Sequence, residues 1–173
     1  MDTDMNAGII NSVDGLGQIS IRPIDESHAR PKSPSVYDDW GDFAPEAKGL
    51  HIARWLVELK MLNGEVVPVG DLSAHAVWYG PTIGSRAMNI GISLIEKYQG
   101  VGIGAIAQRL LAEELHAQGI ARVEAGTDIT NLAEQRSLEK AGYLYEGTLR
   151  KAQGRADGLH DLQVWSHISL EHL

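Results

Sequence analysis

The chain has 173 residues, 43% of them hydrophobic, a formal net charge of −8 and no cysteine. The missing cysteine excludes disulfides, thiolate metal ligands and transfer through an enzyme-bound thioester. The apolar content argues against global disorder, the acidic balance against duplex DNA or an anionic membrane as partner, and no apolar run reaches the ~18 residues of a transmembrane helix.

Residues 1–17 are polar and weakly patterned, and read as a mobile arm or a short pairing strand ahead of a single domain over 18–173. The N-terminus is acidic and lacks the basic region of a signal peptide, so a cytoplasmic protein is expected. "GQISIRPI" alternates and then meets Pro23, and reads as a strand ending near Arg22. From Asp25 to Gly49 prolines and acids dominate, with Tyr37, Trp40 and Phe43 at roughly helical spacing. One or two short helices among loops are expected there.

"LHIARWLVELK", "EVVPVGDLSAHAVWYG" and "RAMNIGISLIE" follow, separated by the turns "LNG" and "GPTIGS". They read as an antiparallel meander. Ile103, Ile106, Ala107, Leu110, Leu111 and Leu115 then recur at helical spacing, with Gly119 in the position of a C-cap glycine. "IARVEAGTDI" is a strand. "NLAEQRSLEKAGY" is a short helix with Asn131 near its N-cap and Gly142 after its end. "YLYEGTLRKA" and "LHDLQVWSHISL" are strands separated by "QGRADG", which reads as a hairpin or a longer turn. The order predicts an α+β (mixed α/β) sheet, mostly antiparallel, with one βαβ crossover.

The stretch "YQGVGIGA" opens the first long helix. Glycines before a helix N-terminus suit an anion, because the first-turn N–H groups are free and carry partial positive charge. The letters admit three readings: a turn with helix–sheet packing, a dinucleotide site, and a coenzyme A pyrophosphate site. Gly102 to Ala107 fits G-x-G-x-x-A, with Glu124 about 20 residues on. Against the dinucleotide, "EKYQ" separates strand from glycines, and too little chain remains for a doubly wound sheet. The seven histidines are scattered without H-x-x-x-H spacing, so no metal is expected.

Gln99-Gly100-Val101-Gly102-Ile103-Gly104 matches the Q/R-x-x-G-x-G/A signature and resembles the GNAT N-acetyltransferase superfamily. "TNLAEQRSLEKAGYLYEGTLR", "HDLQVWSHI" and "ISIRPIDESHA" are similar to its RimJ/RimL (ribosomal-protein-alanine acetyltransferase) type. The resemblance covers roughly Gln18 to Leu170 and is faintest between Ala29 and Gly49. It implies a GNAT-like sheet with a V-shaped splay, and acetyl-CoA or another acyl-CoA as co-substrate. Ser93 and Leu94 would meet pantetheine through backbone atoms. Gln99, Gly100, Val101, Gly102, Ile103, Gly104 and Ala105 would wrap the pyrophosphate, and Asn131 would meet the coenzyme arm or simply cap its helix. The acceptor would be a small-molecule or peptide amine, and the protein a monomer or homodimer.

The catalytic positions depart from that family. Its serine three residues after the asparagine is Glu134 here. The tyrosine that other GNAT proteins place later in this helix falls at Leu138, the glutamate often found in the strand before the glycine loop falls at Asn89, and the RimL-like glutamate ten residues after the aromatic of "AGY" falls at Gln153. Glu134 and His75 remain as candidate acid or base. His160 and Asp161, adjacent on a strand, must face opposite ways; Asp161 is expected to tie down the hairpin, with Arg150 as partner. Trp78, Tyr79, Tyr37 and Trp40 are candidates to line an acceptor pocket. Two functions follow: direct acetyl transfer to a primary amine in a ternary complex, or a non-catalytic acyl-CoA-binding or sensing module.

Overall fold

The computed structural model describes residues 11–41 and 51–169. Phe43 and the rest of 42–50 lie outside the described residues. Eight strands form one sheet: β1 (Ser12–Val13), β2 (Gly17–Ile24), β3 (Ala53–Met61), β4 (Val66–Trp78), β5 (Arg86–Leu94), β6 (Arg122–Asp128), β7 (Leu144–Arg155) and β8 (Gly158–Ile168). Their order is β1-β2-β3-β4-β5-β6-β8-β7. Among the described residues two α-helices, α1 (Ile103–Ala117) and α2 (Leu132–Lys140), follow β5 and β6. This is the mixed α+β architecture the sequence predicts. β5 and β6 are parallel because α1 carries the chain back between them, and every other pair is antiparallel.

α1 buries Ile103, Ala107, Leu111 and Leu115, one helical face, against Leu72, Ala74, Ile90 and Val123 of the sheet. Each buried leucine-sized side chain stabilises by roughly 1.5–3 kcal/mol. The helix stops at Gly119, whose φ of 85° is left-handed, and Ile120 N–H returns to Leu115 O at 3.1 Å. Pro68 sits inside β4, a position that normally costs a ladder bond. It is accommodated because the β3 pairing slips beside it, from Val57↔Gly70 to Glu58↔Pro68, leaving Val69 as the extra residue of a bulge.

The strand expected to end near Arg22 runs on through Pro23 to Ile24 at its pairing with β3, and of the two readings of "QGRADG" the hairpin holds. "QGRADG" is not a six-residue turn: β7 runs on to Arg155, which pairs with Gly158, so only Ala156 and Asp157 turn. Gln153 and Gly154 are strand residues because they pair with His160 and Leu159 after a break in register between Leu149 and Gln153. Of the one or two short helices expected between Asp25 and Gly49, the described residues hold a 3-10 turn at Val36–Asp38, and the stretch beyond Gly41 lies outside the described residues.

Candidate active site

β5 and β6 pair only at Met88↔Val123, Asn89↔Glu124 and Ile90↔Ala125. Beyond Ile90 they diverge. β4 holds one edge of Gly91–Leu94, and alternate backbone N–H and C=O groups on the other edge meet the gap rather than a neighbouring strand. A cleft opens there with two joined halves of about 470 and 480 Å³.

The first half lies against the helices. Its lining includes Ser93, Leu94, Gln99, Gly100, Gly102, Gly104, Ala105 and Asn131. Gly102 caps α1 without a side chain, and the first intrahelical bond runs from Ile106 N–H to Gly102 O at 3.3 Å. The N–H groups of Ile103, Gly104 and Ala105 therefore have no intrahelical carbonyl to meet. The three glycines have different reasons. Gly100 (φ 74°) and Gly102 (φ 95°) turn the loop in the left-handed region, with nothing within 4 Å of where a side chain would start. Gly104 lets α1 approach α2, since a Cβ there would stand 3.0 Å from Ser137 Oγ. The side chain of Ile103 is buried in the core, so only its backbone is available to a ligand, while Val101 is exposed. Gln99 spends its side-chain donor on Leu94 O (3.0 Å) and its N–H on Glu96 O (3.0 Å), shaping the loop.

Glu134 stands where the halves meet and lines both. Asn131 Oδ1 accepts from Glu134 N–H at 3.2 Å, so Asn131 is an N-cap that also borders the cleft. Buried Gln108 of α1 donates to the Glu134 carboxylate and accepts from Ser137 Oγ (3.2 Å). Burial pushes the Glu134 carboxyl up to about 7, against the lowering effect of Gln108. The serine-to-glutamate departure thus supplies a carboxyl poised near neutrality.

The second half lies on the sheet. Asp71, Ser73 and His75 of β4 alternate onto it, beside Asn89, Gly91 and Ser93 of β5. Burial lowers the basicity of His75, with Glu124 partly opposing, so its imidazole is neutral at pH 7. The far wall is an ionic cluster. Asp128 Oδ2 accepts from Arg155 (2.7 Å) and His160 Nδ1 (2.8 Å), while His160 Nε2 donates to Asp157 at 2.7 Å. Two donating ring nitrogens require an imidazolium, and Asp157 first, then Asp128, raise the affinity of His160 for its proton. Burial alone would raise the Asp128 carboxyl; the Thr130 hydroxyl and N–H, His160 and Arg155 outweigh it and hold it at about 2.

Residues 33–41 cross the mouth of the cleft, and sequence reasoning missed how. Ser33 Oγ accepts from Glu96 N–H (2.9 Å) on the β5 side. Tyr37 Oη donates to Thr130 O (3.4 Å), and Asp39 O accepts from Ala156 N–H (3.0 Å), on the β6 and hairpin side. Tyr37 also lies 5.5 Å from the Arg155 guanidinium. This strap brings Tyr37 and Trp40 into the lining.

Several expectations change. Trp78 and Tyr79 do not line the cleft: both are exposed, and Tyr79 Oη donates to Glu124 (2.7 Å). Glu124 is buried and held also by Arg122 (3.0 Å), so it is not free for a ribose. Asp161 does tie the hairpin, but to Lys151 N–H (2.7 Å), which the positive φ of Lys151 (51°) turns inward; Arg150 is not its partner. Leu138 is fully buried, Asn89 borders the sheet half, and Gln153 accepts from Arg155. Among the described residues no cluster of three side chains could hold a metal ion, and no helix is long and apolar enough to cross a membrane.

A family profile described as acetyltransferase (GNAT) domain matches residues 15–144. Phosphinothricin N-acetyltransferase of Streptomyces viridochromogenes is 27% identical over 120 residues, which are 65% of this chain and 66% of that protein. Mycobacterium smegmatis RimJ, solved in complex with CoA-disulfide, aligns with a TM-score of 0.58 at 21% identity over 69% of this chain and 54% of that one. Ribosomal-protein-S5-alanine acetyltransferase from Vibrio fischeri aligns at 0.56 and 20% identity over 70% and 64%. The chain thus spans between about half and just under two thirds of the length of these relatives.

Proposed function

Since the chain belongs to the acetyltransferase (GNAT) domain family, we propose that it moves an acetyl group from acetyl-CoA to the nitrogen of a primary amine, by direct transfer in a ternary complex. The observation that carries this is the two-part cleft with Glu134 at its junction. The helix half suits a pyrophosphate: three unpartnered N–H groups, two left-handed glycines and the positive end of α1 converge with open space before them. Gln99 to Ala105 and Asn131 border the coenzyme in this reading, and Ser93 and Leu94 pair with its arm through the unpaired edge of β5.

Bound acetyl-CoA supplies the activated acyl thioester. The chain supplies the rest. A backbone N–H on the free edge of β5 stabilises charge developing on the acyl oxygen. Glu134, with its affinity for a proton matched to neutral pH, takes the proton that an ammonium must lose before its lone pair can attack. Gln108 keeps that carboxylate aimed at the junction. Neutral His75, on the floor of the sheet half, accepts a proton relayed through water. Holding both reactants together supplies much of the rate, and no covalent enzyme intermediate is needed.

One observation favours a non-catalytic coenzyme-binding module: where relatives place a tyrosine, Leu138 is sealed in the core and cannot protonate a leaving thiolate. Incubating the protein with acetyl-CoA and a panel of amines, and following free thiol, separates the readings. Amine-dependent thiol release supports transfer. Tight acetyl-CoA binding without turnover supports the module, and binding of NAD in place of acetyl-CoA overturns both.

A further inference from the structure

The sheet half of the cleft is unevenly charged. Arg54 of β3 pairs across the ladder with Ser73 of β4, and Ser73 with Gly91 of β5, so all three share one face of the sheet. With strands ~4.8 Å apart, the Arg54 backbone stands about 10 Å from β5, and its guanidinium lies 3.6 Å from Asp71 of the intervening β4. Arg30 and Lys32, just ahead of the strap, line the same half.

Asp71 is the buried carboxylate among these cations, 3.6 Å from Arg54. Burial raises its carboxyl while Arg30, Arg54 and Lys32 all draw it down, so the three cations are near enough to act on one anion. After burial, Arg30 is the strongest influence lowering the proton affinity of Arg54, a like-charge repulsion. Arg30 and Lys32 form no ion pair within 4.0 Å among the described residues; the pairs in this half are Arg54–Asp71, Arg155–Asp128 and His160–Asp128. Two exposed carboxylates lie nearby, Asp38 in the same lining and Glu26 close enough to act on Arg54, and neither forms an ion pair with these cations. Three cations around one buried carboxylate leave room for a second anion.

We infer that the acceptor is a small amine that carries its own anion, a carboxylate or phospho group a few bonds from the nitrogen. Arg30, Lys32 and Arg54 receive that anion while the amine is presented toward Glu134. This rests on the transferase reading above, which it deepens by giving the acceptor a class. A polyamine is the wrong partner, because its second ammonium would face the same cations. A cavity of about 480 Å³ crossed by the strap suits a molecule of amino-acid size.

The test is direct binding, with turnover as a separate readout. N-acetyl amino acids, their carboxamides and an N-acetylaminophosphonate are titrated calorimetrically into the protein with coenzyme A present. The acids should bind about tenfold more tightly than the matched amides, the worth of one charge-assisted contact, and the phosphonate arm shows which anion fits better. The exposed pair Arg30→Gln/Lys32→Gln should abolish the preference while coenzyme A affinity stays unchanged. Equal affinity for acid and amide, or a preference that survives the double variant, would overturn the inference. Thiol release with the free amino acids and amides isolates the underlying reading. If amides and polyamines are acetylated as well as acids, transfer stands and the anion site falls. If acids are preferred in binding yet nothing is acetylated, the anion site stands and transfer falls.

Discussion

Glu134→Gln separates catalysis from stability at one position. Gln keeps an oxygen that can accept from Gln108, so the packing at the α1–α2 contact survives. The wild-type carboxyl moves from 4.5 to about 7 on folding, meaning that the folded protein holds this proton roughly 300-fold more tightly than the unfolded chain. That corresponds to about 3 kcal/mol. A carboxyl raised on folding favours the native state fully below about 4.5, and this contribution is lost as pH rises through about 7. Removing the charge should therefore stabilise the variant relative to wild type by up to ~3 kcal/mol at pH 8, with little difference at pH 4.5. Activity should move the other way: losing a general base lowers kcat by about 100-fold or more. The wild-type kcat profile should carry an inflection near pH 7 that the variant lacks, leaving only the titration of the acceptor amine. Urea denaturation at the two pH values and steady-state thiol release make the comparison. A variant that keeps both its kcat and the inflection near 7 refutes the role of Glu134. One that is no more stable at pH 8 than wild type refutes the buried carboxylate.

Three further outcomes follow from the same geometry. Gly102→Asp should weaken acetyl-CoA binding at least tenfold by calorimetry, since it places a carboxylate at the α1 N-terminus and strains a φ of 95°; unchanged affinity would mean that the loop does not hold the coenzyme. Gln108→Leu should cost about 2 kcal/mol in urea unfolding, because it strips buried partners from Glu134 and Ser137, and should lower kcat more than it raises KM for acetyl-CoA. His160 gains proton affinity on folding from Asp157 and Asp128, so its contribution is full below about 6.5 and fades as pH rises through its folded value. The thermal gap between wild type and His160→Gln should be wider at pH 6 than at pH 9, and a gap constant with pH would count against the doubly bonded imidazolium.

The parts of the fold legible in the sequence are those written in local periodicity. Ile103, Ala107, Leu111 and Leu115 mark α1, Gly119 ends it, and Asn131 caps α2, because spacing and backbone conformation act within a few residues. The glycine loop was legible for the same reason, although Gly104 answers to α2 across space and not to the loop. What escaped depends on distant partners. Asp39 to Ala156 and Tyr37 to Thr130 leave no periodic trace, so the strap read only as a proline-rich stretch. Asp161 meets a backbone N–H that a register break presents, and no side-chain pattern announces that. Trp78 and Tyr79 belong to the same stretch as His75, but β4 has by then run past the cleft, and Tyr79 turns to Glu124. The neutral-range carboxyl of Glu134 comes from burial, which the identity of the residue alone does not reveal.

The central claim is that one cleft holds an acyl donor and an amine together for direct transfer. Two-substrate initial rates of thiol release, varying acetyl-CoA at several fixed concentrations of an aminocarboxylate, test it most directly. Direct transfer should give amine-dependent release with reciprocal plots that intersect, as a ternary complex requires. Parallel plots, or saturable acetyl-CoA binding with thiol release that no amine accelerates, would contradict it.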